Sequence, residues 1–213
     1  DCSIRGNRMG RLKRKNRESH NRKEKNIILI GAEGDNRTES IYFLSINRHF
    51  RKYQIKIADG NKTDPVGIVE DVIKSIKKAG IDINNGDIAA CVFDTDFGKT
   101  KEKQINDARK LATKHGILIF ISNPCFEVWF LEHFCFTSKP FGSCSEVIDS
   151  LKKYIPKYSK KKDFIDLLLD KTHNALINCR KLKLYHDNIG NIGINRNPCS
   201  EVYAIVEKII DTA

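Results

Sequence analysis

Short apolar runs alternate with amphipathic stretches along most of this chain. Three of the runs are mostly apolar and are followed by Gly or polar residues, which predicts buried strands over 26–31, 88–93 and 117–121. The stretch 53–58 alternates between apolar and polar residues and predicts a further strand. Apolar residues at helical spacing between them predict a helix from near Glu39, one from Pro65 to near Gly80, and one over 104–115. This alternation favours an α/β fold with a mainly parallel sheet flanked by helices.

The pattern changes after residue 136. Pro124 is expected to start a very apolar helix, and beyond it helical stretches are predicted around 147–154, 164–169 and 174–184, with a last helix after Pro198. We therefore expect three parts: a basic flexible arm over 1–25, a catalytic core over 26–136, and a helical insertion or cap with C-terminal helices packed on the core over 137–213.

Acidic residues follow two of the predicted strands. Glu33 comes directly after the first strand, and Asp94 and Asp96 come directly after the third. Because the carboxyl ends of parallel strands meet at one edge of a sheet, the three carboxylates can converge there. Such oxygen ligands suit Mg²⁺ or Mn²⁺. Each acid taken alone is equally well explained as a loop residue or a helix cap, and Glu39 is better explained by the dipole of its helix.

The polar turn after the fourth strand leads into the apolar helix that carries Glu127 and His133. A carboxylate buried in such a helix needs a partner, which a metal ion, an arginine or His133 could supply. A structural ion pair is the alternative for Glu127, and a hydrogen-bonded histidine without a catalytic role is the favoured alternative for His133.

Positive charge is concentrated near the start of the chain. The net charge is +11, and residues 1–25 contain ten Lys or Arg against three Asp or Glu, a net of +7. Such an arm attracts polyanions, although a tail that only improves solubility is the alternative. The basic run 157–162 is explained by a solvated surface or by contact with nucleic acid.

Several classes of protein are excluded or disfavoured by the sequence. No apolar run is long enough to span a membrane. The seven scattered cysteines form no C-x-x-C pair, so we expect reduced thiols in a cytoplasmic protein, and neither a zinc site nor a disulfide framework. The chain has no P-loop, and the turn around Gly31 lacks the third glycine of a dinucleotide fingerprint.

Together these residues resemble the RloB-like proteins of prokaryotes. The resemblance rests on Glu33-Gly34, Thr38-Glu39-x-x-Tyr42-Phe43, Asp94-Thr95-Asp96, Asn197-Pro198-x-Ser200 and, most specifically, the stretch from Ser122 to Phe134. It covers roughly residues 10 to 210. Two positions depart from the usual pattern, Ala32 and Asp35, and neither needs to bind a metal ion.

The resemblance implies a TOPRIM-like (Rossmannoid) core and a role in bacterial anti-phage defence or abortive infection beside a partner ATPase, RloA. It also implies a metal-dependent nuclease that cuts DNA or tRNA. The residues that would carry out this chemistry are Glu33, Asp94, Asp96, Glu127 and His133, of which the four acids would bind Mg²⁺ or Mn²⁺.

Three hypotheses follow for the function. The first is a Mg²⁺-dependent endonuclease that acts as a defence effector, and a homo-oligomer is possible. The second is a non-catalytic subunit of a defence complex that binds or senses nucleic acid. The third, a nucleotide-binding or phosphotransfer enzyme, is disfavoured because a small nucleotide does not need ten basic residues in one arm.

Overall fold

Five strands form one sheet in the computed structural model, which describes residues 25–33, 37–95 and 99–210. The strand order is β2-β1-β3-β4-β5. The first four strands are parallel, and the last runs antiparallel to β4. Their bounds are β1 Ile27–Gly31, β2 Gln54–Ile57, β3 Ile88–Asp94, β4 Leu118–Asn123 and β5 Cys199–Ser200. The predicted α/β fold with a mainly parallel sheet is therefore confirmed.

Helices pack on both faces of the sheet. Their bounds are α1 Arg37–His49, α2 Pro65–Ala79, α3 Lys99–Lys114, α4 Glu127–Leu131, α5 Cys144–Leu151, α6 Ile165–Leu168, α7 Thr172–Asn188 and α8 Val202–Ile210. One face, with Ile30 and Val92 of the strands, is covered by apolar residues of α1 and α4 to α8. The other face, with Leu29 and Phe93, is covered by α2 and α3. Because both faces of the central strands β1 and β3 are buried, these strands are largely uninterrupted apolar runs, whereas the edge strand β2 alternates between apolar and polar residues.

Helix α2 shows why the start and stop signals were readable. The Asp64 carboxylate accepts a hydrogen bond of 2.9 Å from the Gly67 amide and caps the helix, and Pro65 occupies the first turn. Gly80 ends the helix with a φ of 65°, a conformation that glycine adopts without strain.

Several element bounds differ from the prediction, and for three elements the reason is clear. Helix α3 begins at Lys99 rather than at residue 104, because its first turn is charged and shows no apolar periodicity. Helix α4 begins at Glu127 rather than at Pro124, which lies in the turn after β4. Strand β5 was not predicted, because two residues are too few to show a pattern.

Some predictions fall outside the described residues. These are the basic arm, apart from Lys25, and the aspartate at position 96. The limits of the three predicted parts stay a prediction. In the described part of the chain, no helix is both long and apolar enough to cross a membrane.

Candidate functional site

Glu33 and Asp94 lie at the same edge of the sheet. Strands β1 and β3 are direct neighbours, and Gly31 of β1 is aligned with Cys91 of β3. Glu33 follows two residues after Gly31, and Asp94 is the last residue of β3, so the two acids end adjacent parallel strands at nearly the same level. Asp94 is buried, and the Glu33 side chain is largely so. This is the juxtaposition that the sequence predicts, whereas Asp96 lies beyond the described residues.

A lysine from helix α3 reaches Glu33. The Lys101 Nζ lies 3.3 Å from Glu33 Oε1, and the side chains are only 16% and 14% exposed. A pair this sheltered is screened less by salt than a surface pair. Lys101 therefore adds a fixed positive charge beside the acidic edge.

Glu39 belongs to the same acidic group, although the sequence favoured a dipole role for it. Burial, together with the negative charges of Glu127 and Glu33, raises its pKa to about 8 against the opposing effects of a backbone hydrogen bond and Lys160. Its Oε2 is buried and accepts no hydrogen bond from any described residue.

A sequence signal for this position existed. Glu39 shares a helix face with the buried Tyr42, Phe43 and Ile46, at the spacings of three, four and seven residues that place side chains on one side of a helix. A carboxylate on the apolar face of a helix is a stronger indication of a site than one in its first turn alone.

Glu127 is fully enclosed and has protein partners. Its Oε1 accepts a 2.8 Å hydrogen bond from the Tyr158 hydroxyl and lies 3.6 Å from Lys160 Nζ, and its Oε2 accepts a 3.5 Å hydrogen bond from the Cys144 thiol. Burial alone would lower the pKa of Lys160, but the negative charges around it, with Glu127 first among them, raise it instead. The partner that a buried Glu127 was predicted to need is thus a lysine of the basic run 157–162.

The loop that carries Lys160 is fastened to helix α1. Thr38 directly precedes Glu39 in the sequence. Its hydroxyl donates a 3.1 Å hydrogen bond to the Lys160 carbonyl. The segment after residue 137 therefore contributes directly to the acidic group at the end of the sheet.

Asn123 holds together the loops that surround this edge. Its Oδ1 accepts a 2.8 Å hydrogen bond from the Thr95 hydroxyl, one residue after Asp94. Its Nδ2 donates to the carbonyls of Ile194 and Arg196, both at 2.8 Å. Every polar atom of this buried amide is used, so Asn123 fixes where the chain leaves β3.

His133 contacts the backbone and ring of Trp129. Its Nδ1 is 2.8 Å from the Trp129 carbonyl, its ring packs edge-on against the Trp129 ring, and burial lowers its pKa to about 4. No hydrogen bond joins it to an acid among the described residues. A neutral imidazole in this position packs the core, and the catalytic role of His133 stays a prediction.

The residues at the strand ends fit a divalent cation. Glu33 and Asp94 supply carboxylate oxygens from two rigid strands, and the buried Glu39 Oε2 has no donor among the described residues. Several acids share a region in which burial penalises negative charge, and a cation or a proton relieves that penalty. Oxygen donors of this kind select Mg²⁺ or Mn²⁺.

Comparison with known proteins identifies the family. No curated protein and no solved structure matches the chain. The family model described as RloB-like protein matches residues 28–209, which is most of the 213-residue chain and includes all the acids described above. The chain therefore belongs to the RloB-like family.

Proposed function

We propose that this protein is a Mg²⁺-dependent nuclease with a TOPRIM-like core that hydrolyses phosphodiester bonds in DNA or tRNA. The observation that carries the proposal is the placement of Glu33 and Asp94 at the carboxyl ends of adjacent parallel strands. Ligands of open α/β sheets bind at this edge. Two carboxylates there, with Glu39 behind them, form a group suited to holding a metal ion against a phosphate.

Each residue has a role in this proposal. Glu33, Asp94 and Asp96 would hold Mg²⁺, which would activate the attacking water and neutralise charge on the phosphate. Lys101, which is held at Glu33, would orient a phosphate oxygen. Glu39, whose pKa burial raises, would donate a proton to the leaving oxygen. The prediction that Glu127 also binds Mg²⁺ stays a prediction.

The proposed nucleic-acid substrate is supported by the net charge of the chain, and the proposed role in defence is supported by its family. The net charge of +11 favours a polyanion over a small nucleotide. The resemblance to other RloB-like proteins supports a role as an effector of anti-phage defence that acts with an RloA-like ATPase.

A second candidate is a non-catalytic subunit that binds nucleic acid. Lys101 at Glu33 and Lys160 at Glu127 favour it, because the protein supplies cations of its own to both acids. A binding protein with internal ion pairs at this edge would need no metal ion.

Cleavage assays separate the two candidates. The full chain is incubated with supercoiled plasmid and with total tRNA, in Mg²⁺, Mn²⁺ or EDTA, alone and with the partner ATPase and ATP. We expect cleavage that requires a divalent metal and falls at least about 100-fold in Glu33→Gln and in Asp94→Ala/Asp96→Ala.

The matched control is Glu70→Gln, which removes an exposed carboxylate on α2 and should cleave at the wild-type rate. If the wild type binds nucleic acid and cleaves nothing even with the ATPase and ATP, the non-catalytic candidate is correct. If the variants cleave as the wild type does, the acidic edge is not the active site.

A further inference from the structure

A second group of metal-ligating side chains lies beside the acidic edge. Cys125, Glu127 and Cys144 each offer one ligand atom, and these atoms all lie within 4.8 Å of one another. Cys125 and Glu127 are 1% exposed, and Cys144 is partly buried. The three residues come from the turn after β4 and from the first positions of α4 and α5, and all three positions are packed in place.

We propose that Cys125, Glu127 and Cys144 form a binding site for Zn²⁺, distinct from the Mg²⁺ site at the strand ends. Two of the three donors are sulfur atoms, which Mg²⁺ avoids and Zn²⁺ accepts. Sites with three protein ligands and a water molecule in the fourth position are common for zinc. Glu127 would then bind Zn²⁺ rather than Mg²⁺, whether or not the protein is a nuclease.

The spacing of Cys144 and Glu127 matches that of two zinc ligands, and Cys125 Sγ lies within 4.8 Å of both. With Zn–S of about 2.3 Å and Zn–O of about 2.0 Å, a tetrahedral angle places the sulfur and oxygen ligands about 3.5 Å apart. The Cys144 thiol donates a hydrogen bond to Glu127 Oε2, and the two atoms are 3.5 Å apart. A zinc ion would take the place of the thiol proton.

The charge balance also fits. Zn²⁺ binding releases one proton from each thiol, so the ion and two thiolates are neutral together, as the two thiols were before. The charge of Glu127 stays matched by Lys160, 3.6 Å away. The exchange of one Zn²⁺ for two protons therefore leaves the net charge of this enclosed region unchanged, which limits the electrostatic cost of loading it.

Glu127 would keep its other hydrogen bond in the loaded state. Tyr158 donates to Oε1 at 2.8 Å, which leaves Oε2 for the ion. A ligand carboxylate that is oriented by a second hydrogen bond is a common feature of zinc sites. The Lys160 side chain is 38% exposed, so it can also shift outward as the ion enters.

Metal binding to the full chain tests the proposal directly. The chain, reduced and stripped with a chelator, is titrated with Co²⁺ as a spectroscopic probe and with Zn²⁺ in competition with a chromophoric chelator. We expect one tightly bound equivalent of Co²⁺ that gives a thiolate-to-cobalt charge-transfer band and is displaced by Zn²⁺ but not by millimolar Mg²⁺. The first equivalent of Zn²⁺ should release two protons in weak buffer.

The variants distinguish this site from other thiols and from the nuclease site. Cys125→Ser and Cys144→Ser should lose the band and bind Zn²⁺ at least about 100-fold more weakly. Cys135→Ser is the control, because Cys135 packs against the same apolar cluster but is not one of the three ligands. Circular dichroism checks that each variant is folded, and Asp94→Asn should abolish cleavage while keeping the zinc site.

Two results would overturn the inference. One is the absence of stoichiometric Zn²⁺ binding by the reduced wild type. The other is unchanged binding in folded Cys125→Ser and Cys144→Ser. Failure of the cleavage assays alone would leave the zinc result standing, since the titration does not use activity.

Discussion

Glu132 is a carboxyl group with no exposed surface, and neither of its oxygens has a hydrogen-bond partner among the described residues. Burial raises its pKa to about 8. Glu127, five residues earlier, is equally buried but has a tyrosine, a thiol and a lysine around it. The two residues differ in the polar partners around them rather than in their burial.

The pH dependence of stability should report Glu132. The folded state keeps a proton on Glu132 up to about pH 8, whereas the unfolded chain releases it near 4.5, so stability falls as pH rises between these values. In the wild type, Glu132 should lower the free energy of unfolding by roughly 1.4 kcal/mol for each pH unit in this range. We expect Glu132→Gln to remove this contribution to the slope. Urea unfolding in EDTA at several values between pH 6.5 and 8 measures it, and this window avoids His133, whose effect is confined to the range from 6.5 down to about 4.

Glu70→Gln, on the exposed side of α2, serves as the control and should reproduce the wild-type slope. Glu39 titrates in the same range and should keep part of the decline in the Glu132 variant. An unchanged slope in Glu132→Gln would mean that this carboxyl is ionised or solvated in the folded protein.

At the scale of elements, the close approach of α2 to β1 depends on one glycine. A Cβ atom at Gly31 would lie 2.3 Å from Val72 Cγ2 and 3.2 Å from Ile68 Cγ2. Both side chains are buried in the core on that face of the sheet and have little room to move. Because Glu33 follows two residues later, this contact also fixes where the first acid leaves the sheet.

Gly31→Ala should therefore destabilise the protein by about 1–3 kcal/mol, since the added methyl group overpacks the core. Val72→Ala alone should lower the free energy of unfolding. In the Gly31→Ala background it should lower the free energy of unfolding by less, because it removes the methyl group that clashes with the new Cβ atom. Chemical denaturation of the two single variants and the double variant measures this coupling. Strict additivity would show that the helix shifts away from the strand without strain.

At the scale of the whole molecule, the sequence predicted most of what is buried. The strands β1, β3 and β4 were readable because a strand covered on both faces is an uninterrupted apolar run. The convergence of Glu33 with Asp94 followed from parallel strands having a common edge, and the register of β1 with β3 bears it out.

The rest of the site depends on contacts between distant parts of the chain. Lys160 forms an ion pair with Glu127, and its carbonyl accepts a hydrogen bond from Thr38, 122 residues away. No local sequence pattern encodes either contact. The approach of Cys144 to Cys125 and Glu127 is of the same kind. The importance of Glu39 was readable from its helix face, but its first-turn position favoured a simpler explanation.

The central claim is that the acids at the ends of β1 and β3 bind a divalent metal ion. Electron paramagnetic resonance of Mn²⁺ added to the full chain tests it most directly, with Mg²⁺ as competitor and a single equivalent of Zn²⁺ present to occupy Cys125, Glu127 and Cys144. We expect wild-type protein and Asp149→Asn, which changes an exposed acid of α5, to bind Mn²⁺ in competition with Mg²⁺. Glu33→Gln and Asp94→Asn should bind at least about 10-fold more weakly. Equal Mn²⁺ binding by folded Asp94→Asn and wild-type protein, or no binding by the wild type, would contradict the claim.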